Sequence, residues 1–73
     1  MVGSRCFLKL LVNGEIREFS DGLGLEALIL QLGIKKEAVV AEVNRKIIQP
    51  IDRADLKLAE GDQIELIQFV GGG

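Results

Sequence analysis

The sequence ends in Val70-Gly71-Gly72-Gly73, and the first chemical question is what such an ending can do. With Gly73 in last place, the expectation is a free α-carboxylate, ionised at neutral pH with a pKa of about 3.3–3.7. A carboxylate is a poor electrophile until one of its oxygens becomes a good leaving group, so it needs activation by another molecule. Glycines suit a carboxyl group that must be handed to a partner. Lacking Cβ, they thread a narrow channel and adopt φ values closed to other residues. Three of them reach at most about 10 Å, at roughly 3.3–3.6 Å each. That is enough to place the carboxyl inside another protein while the body stays outside. The expected organisation is one domain over residues 1–70 and a flexible tail over residues 71–73. Taken alone, three glycines equally describe a frayed end or an appended remnant, so what precedes them has to decide.

Other chemistry is scarce. The chain has no histidine, tyrosine or tryptophan, which removes the commonest general base and the usual nucleophile–histidine pairs. Any chemistry must then use carboxylates, lysines, Cys6, hydroxyls or a chain terminus. Cys6 is the single cysteine, so an intrachain disulfide and a four-thiolate metal or iron–sulfur site are excluded. No metal site and no cofactor is expected. Cys6 itself is expected as a small buried residue on the inward face of a strand rather than as a sulfur relay.

Charge and length narrow the partners. Nine Lys+Arg against eleven Asp+Glu give a net charge of -2. Lys35-Lys36 and Arg45-Lys46 are too scattered for the concentrated basic surface that phosphate backbones require, so nucleic acid is not expected. Asp52, Asp55, Glu60, Asp62 and Glu65 make the last third acidic. They form either a solvated face or one that speeds encounter with a basic partner, and Asp62 is assigned to the Gly61-Asp62 turn. No run of about 18 apolar residues could span a membrane. Met1-Val2-Gly3-Ser4-Arg5 lacks the features of a signal peptide, so a cytoplasmic protein is expected. At 73 residues the chain builds one core, with little room for an internal cavity of a few hundred Å³.

The elements that must position the tail follow from periodicity. Residues 6–12 alternate, with Cys6, Leu8, Leu10 and Val12 on one face and Phe7, Lys9 and Leu11 on the other. Asn13-Gly14 marks a type I′ hairpin turn. The second strand, over residues 15–19, carries Ile16 and Phe19 at opposite parity, which points to a bulge or an early end. Leu25, Leu28, Ile29 and Leu32 then fall at helical spacing, with Gly24 at the N-cap and Gly33 at the left-handed C′ position. Residues 38–43 predict a third strand. Asn44-Arg45-Lys46 predicts a turn, and Ile47-Ile48 a short strand stopped by Pro50. Residues 51–57 allow one helical turn, and Glu60-Gly61-Asp62 makes a tight turn. A last strand runs from Gln63 to about Phe69, with Ile64 and Leu66 on one face and Ile67 and Phe69 on the other. The fold class is α+β, a mixed four- to five-stranded sheet packed on one main helix.

Three stretches make this order specific: Val12-Asn13-Gly14-Glu15; Val40-Ala41-Glu42-Val43-Asn44-Arg45-Lys46-Ile47-Ile48; and Glu60-Gly61-Asp62-Gln63-Ile64-Glu65-Leu66-Ile67-Gln68-Phe69-Val70-Gly71-Gly72-Gly73. They resemble the thiamine-biosynthesis sulfur carriers, the ThiS family of ubiquitin-like β-grasp proteins, over nearly the whole chain. The departure is Gly24, where that family commonly has a hydroxyl residue, and it touches helix capping only. The resemblance implies a carrier that is not an enzyme and has no catalytic residue of its own. An E1-like adenylyltransferase, using ATP, would convert the Gly73 carboxylate to an acyl-adenylate. A sulfur nucleophile, supplied through a donor such as a cysteine desulfurase, would displace AMP and leave a thiocarboxylate for thiazole synthase. Gly72, Gly71 and Val70 would be the residues recognised in the tail.

Phe7, Leu11, Ile67 and Phe69 share the outer sheet face. Because first and last strands are neighbours in a β-grasp sheet, they are expected to form one apolar docking patch; cover by Lys9 or a homodimer contact would explain them as well. Two other functions remain open: a molybdopterin-synthase small-subunit type of carrier, which shares the fold and a terminal Gly-Gly, and a ubiquitin-like binding or modifier module.

Overall fold

The structure, a computed structural model, describes residues 7–69. Residues 1–6, among them Cys6, and residues 70–73, which hold the whole predicted tail, lie outside the described residues. The elements follow as β1 (Phe7–Val12), β2 (Glu15–Ser20), α1 (Leu25–Gln31), a 3-10 turn (Lys36–Ala38), β3 (Val39–Val43), β4 (Lys46–Ile48), α2 (Pro50–Arg53) and β5 (Gln63–Gln68). Five strands form one sheet in the order β2-β1-β5-β3-β4. β1 and β5 run parallel; the other neighbouring pairs are antiparallel. This is the β-grasp architecture: a mixed sheet on one main helix.

The period-2 pattern sets the inner face. Leu8, Leu10 and Val12 of β1, Val39, Ala41 and Val43 of β3, and Ile64 and Leu66 of β5 are buried together. Leu25, Leu28 and Ile29 of α1 close the core from the helix side, joined by Phe19, Leu23 and Leu58. Leu25 N–H donates to Leu56 O at 2.9 Å and Leu58 N–H to Leu23 O at 2.9 Å, so residues 56–58 pin the start of the helix. A Cβ built on Gly24 would stand 3.3 Å from Leu56 O, which is why a residue without one sits comfortably at this N-cap.

Local chemistry explains the boundaries. Asn13 and Gly14 take φ of 49° and 84°, the two positive values a type I′ turn demands. Asn44 and Arg45 repeat the geometry at 53° and 70°, leaving Lys46 as the first residue of β4 rather than the last of the turn. Gly33, at φ 73°, ends α1. Its N–H donates to Leu30 O at 3.0 Å, and the Ile34 N–H to Ile29 O at 3.2 Å, the paired bonds of a Schellman stop. Pro50 both ends β4 and opens α2, where a missing N–H costs nothing.

Two further expectations are corrected. β2 has neither bulge nor early end: six consecutive pairs run from Phe7↔Ser20 to Val12↔Glu15. Ile16 breaks the parity because it is simply exposed, at 74%, on the outer face opposite Leu11. Ala38 belongs to the 3-10 turn, so β3 starts one residue later than predicted.

At Gly33 a new Cβ would meet nothing within 4 Å, so only the backbone conformation opposes a side chain. Gly33→Ala is expected to cost about 1–2 kcal/mol. In urea denaturation this should appear as a lower midpoint with an unchanged slope.

Candidate functional site

The candidate site is the end of β5, because residues 70–73 follow it in the sequence. β3 pairs with β5 along its length, from Val43↔Ile64 to Val39↔Gln68. β1 pairs with it only at Leu11↔Gln63 and Val12↔Ile64, since β1 then turns away into the hairpin. Side chains fill the gap. Asn13 N–H donates to Ile64 O at 2.9 Å, and the Asn13 Oδ1 accepts from Leu66 N–H at 2.8 Å. The amide that would have lost its strand partner is caught by a side-chain carbonyl.

The other flank is fixed in the same manner. Asn44 N–H donates to Gln63 O at 2.7 Å, while Asn44 Oδ1 accepts from Gln63 N–H at 3.0 Å. Asn44 Nδ2 donates to Asp62 Oδ1 at 3.1 Å, and Asp62 Oδ2 accepts from Ala59 N–H at 2.8 Å. Asp62 thus serves the turn, as its sequence position suggests. In the same turn Glu60 accepts from Lys9 N–H at 2.7 Å through Oε1, tying it to β1. Beyond β5, Phe69 N–H donates to Ala38 O at 2.8 Å.

The outer face is less uniform than predicted. Phe69 and Ile67 do share that face with Phe7 and Leu11, but the four do not form one patch. In the parallel register Leu11 stands beside Gln63, four residues short of Ile67, or about 13 Å along the strand. Phe7 lies a further four residues back, towards the opposite end of the sheet. Leu11 instead pairs with Ile16, and Phe7 with Ser20. The neighbours of Ile67 and Phe69 come from strands whose register a single sequence does not reveal. Val40 is directly opposite Ile67, and Ile47, opposite Glu42, stands diagonal to Val40. Ile47, Ile67 and Phe69 are 58%, 50% and 53% exposed. Val40, Ile47 and Phe69 line an open surface groove of about 610 Å³, together with Pro50, Lys36 and Arg53.

Next to this patch Glu42 and Glu65 face one another across β3 and β5. Like charges directly opposed on one sheet face are destabilising. The predicted tail residues Gly73, Gly72, Gly71 and Val70 lie outside the described residues. Among the described residues no three His, Cys, Asp or Glu are grouped so as to hold a metal, and no helix is long and apolar enough to cross a membrane.

A family model described as the ThiS family matches residues 10–73. The chain belongs to the ThiS family. Two solved structures from Geobacter metallireducens agree with the fold. One is the crystal structure of a thiamine biosynthesis protein (ThiS), with TM-score 0.78 and 26% identity, the match covering 90% of this chain and all of that one. The other is an NMR solution structure of a thiamine biosynthesis protein, with TM-score 0.76 and 26% identity, covering 90% and 88% of the two chains. Two curated relatives, both named thiazole synthase, are 38% identical (Paramagnetospirillum magneticum) and 36% identical (Magnetococcus marinus), each over 66 residues. Each match takes in 90% of this chain and 20% of the relative, so the chain spans about a fifth of their length.

Asn13 gives this ThiS-family strand a testable dependence. Asn13→Ala leaves the part-buried Leu66 amide unpaired and is expected to cost about 1–3 kcal/mol. Asn13→Asp keeps an acceptor and should lose much less. Hydrogen exchange should show the Leu66 amide losing protection in the alanine variant alone.

Proposed function

We propose that this domain is a sulfur carrier for thiazole formation in thiamine biosynthesis, acted on by enzymes rather than being one. The observation that carries the proposal is membership of the ThiS family over a span that includes the glycine tail. The hydrogen bonds that hold β5 on both flanks support it, because that strand carries the chain to Phe69.

The chemistry proposed for Gly73 has two steps. A carboxylate oxygen attacks the α-phosphate of ATP in an E1-like adenylating partner, releasing pyrophosphate and forming an acyl-adenylate. A hydrosulfide equivalent, drawn from a donor such as a cysteine desulfurase, then adds to the carbonyl. The C–O bond to AMP breaks as the C–S bond is kept, and a thiocarboxylate remains. ATP belongs to the partner, and the carrier needs no cofactor of its own. Thiazole synthase is the proposed consumer, a pairing supported by the two relatives of that name, which contain a stretch similar to this domain. Val70, Gly71 and Gly72 are the residues proposed to be gripped in the partner's channel.

Docking is proposed at Ile67, Phe69, Val40 and Ile47, and no longer at Phe7 and Leu11, which the register separates from them. The Glu42–Glu65 pair beside the patch favours a partner surface that sets a cation between the two carboxylates, relieving a repulsion present in the free carrier.

Intact mass after incubation with ATP, an activating enzyme and a sulfur source tests the chemistry. Exchange of one oxygen for one sulfur at Gly73 is expected. An unchanged mass, with the patch still binding proteins, would support a ubiquitin-like module instead, as would a mature protein that keeps residues beyond Gly73. A pull-down that recovers molybdopterin synthase and no thiazole synthase would move the carrier to the other pathway. Phe69→Asp should slow adenylation at sub-saturating carrier concentrations; a normal rate would remove the patch from the proposal. Glu65→Gln should raise stability by a few tenths of a kcal/mol yet weaken the partner complex, a pair of opposite signs that loss of folding cannot produce.

A further inference from the structure

Arg53 is the one buried charged residue among the described residues, at 4% exposure. A guanidinium removed from water is costly unless its donors are met. Here two of them are met by main chain: Nη1 donates to Lys36 O at 2.9 Å and Nη2 to Val39 O at 2.8 Å. Nε is buried with no partner, and no carboxylate among the described residues pairs with the group. Replacing a buried charge by an apolar residue of similar volume is often neutral or stabilising, so core packing alone is a poor reason for an arginine at this position.

The two carbonyls it holds suggest a better one. Lys36 and Val39 flank Ala38, and Ala38 O accepts the Phe69 N–H at 2.8 Å. Phe69 is the last described residue before the tail, and it lies beyond the reach of β1, whose pairing with β5 ends at Ile64. Its place therefore rests on residues 36–39. That segment is a single 3-10 turn followed by the first residue of β3, with Ala38 N–H donating to Lys35 O at 3.0 Å. Arg53 bridges it to α2 at both ends. Phe69 and Arg53 line the same groove.

We propose that Arg53 is a positioning residue for the tail: by clamping the carbonyls on either side of Ala38, its guanidinium fixes the point at which the chain leaves the sheet at Phe69. This rests on the carrier reading above for its purpose but not for its mechanics. Gly73 lies four positions beyond Phe69, a span of up to about 14 Å, so a small change in exit direction at Phe69 becomes a large one at the carboxyl group. Binding to a partner then has to supply the ordering that the clamp otherwise provides in advance.

Arg53→Met and Arg53→Lys test this beside Leu58→Ala, a buried core variant that takes no part in the Arg53 hydrogen bonds. Amide exchange is read at Phe69 and Leu66, and adenylation by a purified activating enzyme is followed by pyrophosphate release. For Arg53→Met, Phe69 protection is expected to fall at least about tenfold more than Leu66 protection. KM for the carrier should rise while kcat holds. Arg53→Lys, which keeps one donor, should fall between. Leu58→Ala should lower both amides together and leave KM unchanged. The proposal is overturned if Arg53→Met lowers Phe69 and Leu66 alike, or leaves KM at the wild-type value. Failure of the wild-type protein to be adenylated would count against the carrier reading alone, since the exchange data still decide whether Arg53 holds Phe69.

Discussion

The structure depends on holding β5 in a sheet that supplies only part of one flank. β1 enters parallel to β5 and pairs with two of its residues before it must reverse into the hairpin. A central strand with half a flank missing would leave a part-buried amide unpaired, at a cost of about 1–3 kcal/mol. Asn13 meets two demands at once. Its short polar side chain tolerates the positive φ of the turn, and its carbonyl reaches across to replace the lost strand. Asn44 performs the same pair of tasks at the other flank, with Asp62 holding its amide. Both hairpin turns thus reverse their own strands and grip the one strand that leads to the tail.

Because of that arrangement, the outer surface near the exit is coupled to it. Ile67 belongs to β5 and Phe69 follows it, while Val40 and Ile47 are brought alongside by the antiparallel registers of β3 and β4. A partner that docks on these four residues touches the strand whose continuation is the tail. Under the proposed carrier function, recognition of the body and delivery of the carboxyl would be one event. The proposed task needs no active-site pocket in the domain itself, and the groove beside Phe69 is an open surface feature.

Much of this was legible in the residues. Alternation in β1 and β5, the helical spacing of Leu25, Leu28, Ile29 and Leu32, and the Asn13-Gly14 turn each follow from a local rule with one good solution. Gly33 was legible for the same reason, since a left-handed stop favours glycine. The patch was only half legible. Parity placed Phe7, Leu11, Ile67 and Phe69 on one face correctly, but proximity within a face is set by register, and a parallel register between strands fifty residues apart leaves no mark in either strand. Val40 and Ile47 were missed for that reason. Arg53 was missed because an arginine in a polar-apolar stretch looks like any exposed one; only its two main-chain acceptors, far away in sequence, distinguish it. Ile16 misled in the other direction, since an exposed isoleucine on a sheet edge mimics a register fault.

Where the molecule departs from local economy is itself informative. Exposed Ile16, Leu30 and Ile51 are single apolar residues of the kind any small domain carries. Around the end of β5 the departures are of several kinds and close together: a half-exposed apolar cluster, two carboxylates opposed across the same sheet face, and a buried guanidinium with an unpartnered nitrogen. Each is unfavourable for the free domain by a different physical mechanism, so no single accident of packing accounts for all of them. A surface completed by a partner explains the first two, since apolar contact and a cation between Glu42 and Glu65 would relieve both. The third lies beneath that surface and holds the segment that frames it. The departures gather around β5 and its exit, the distribution expected when function is located at one corner of an otherwise consistent fold.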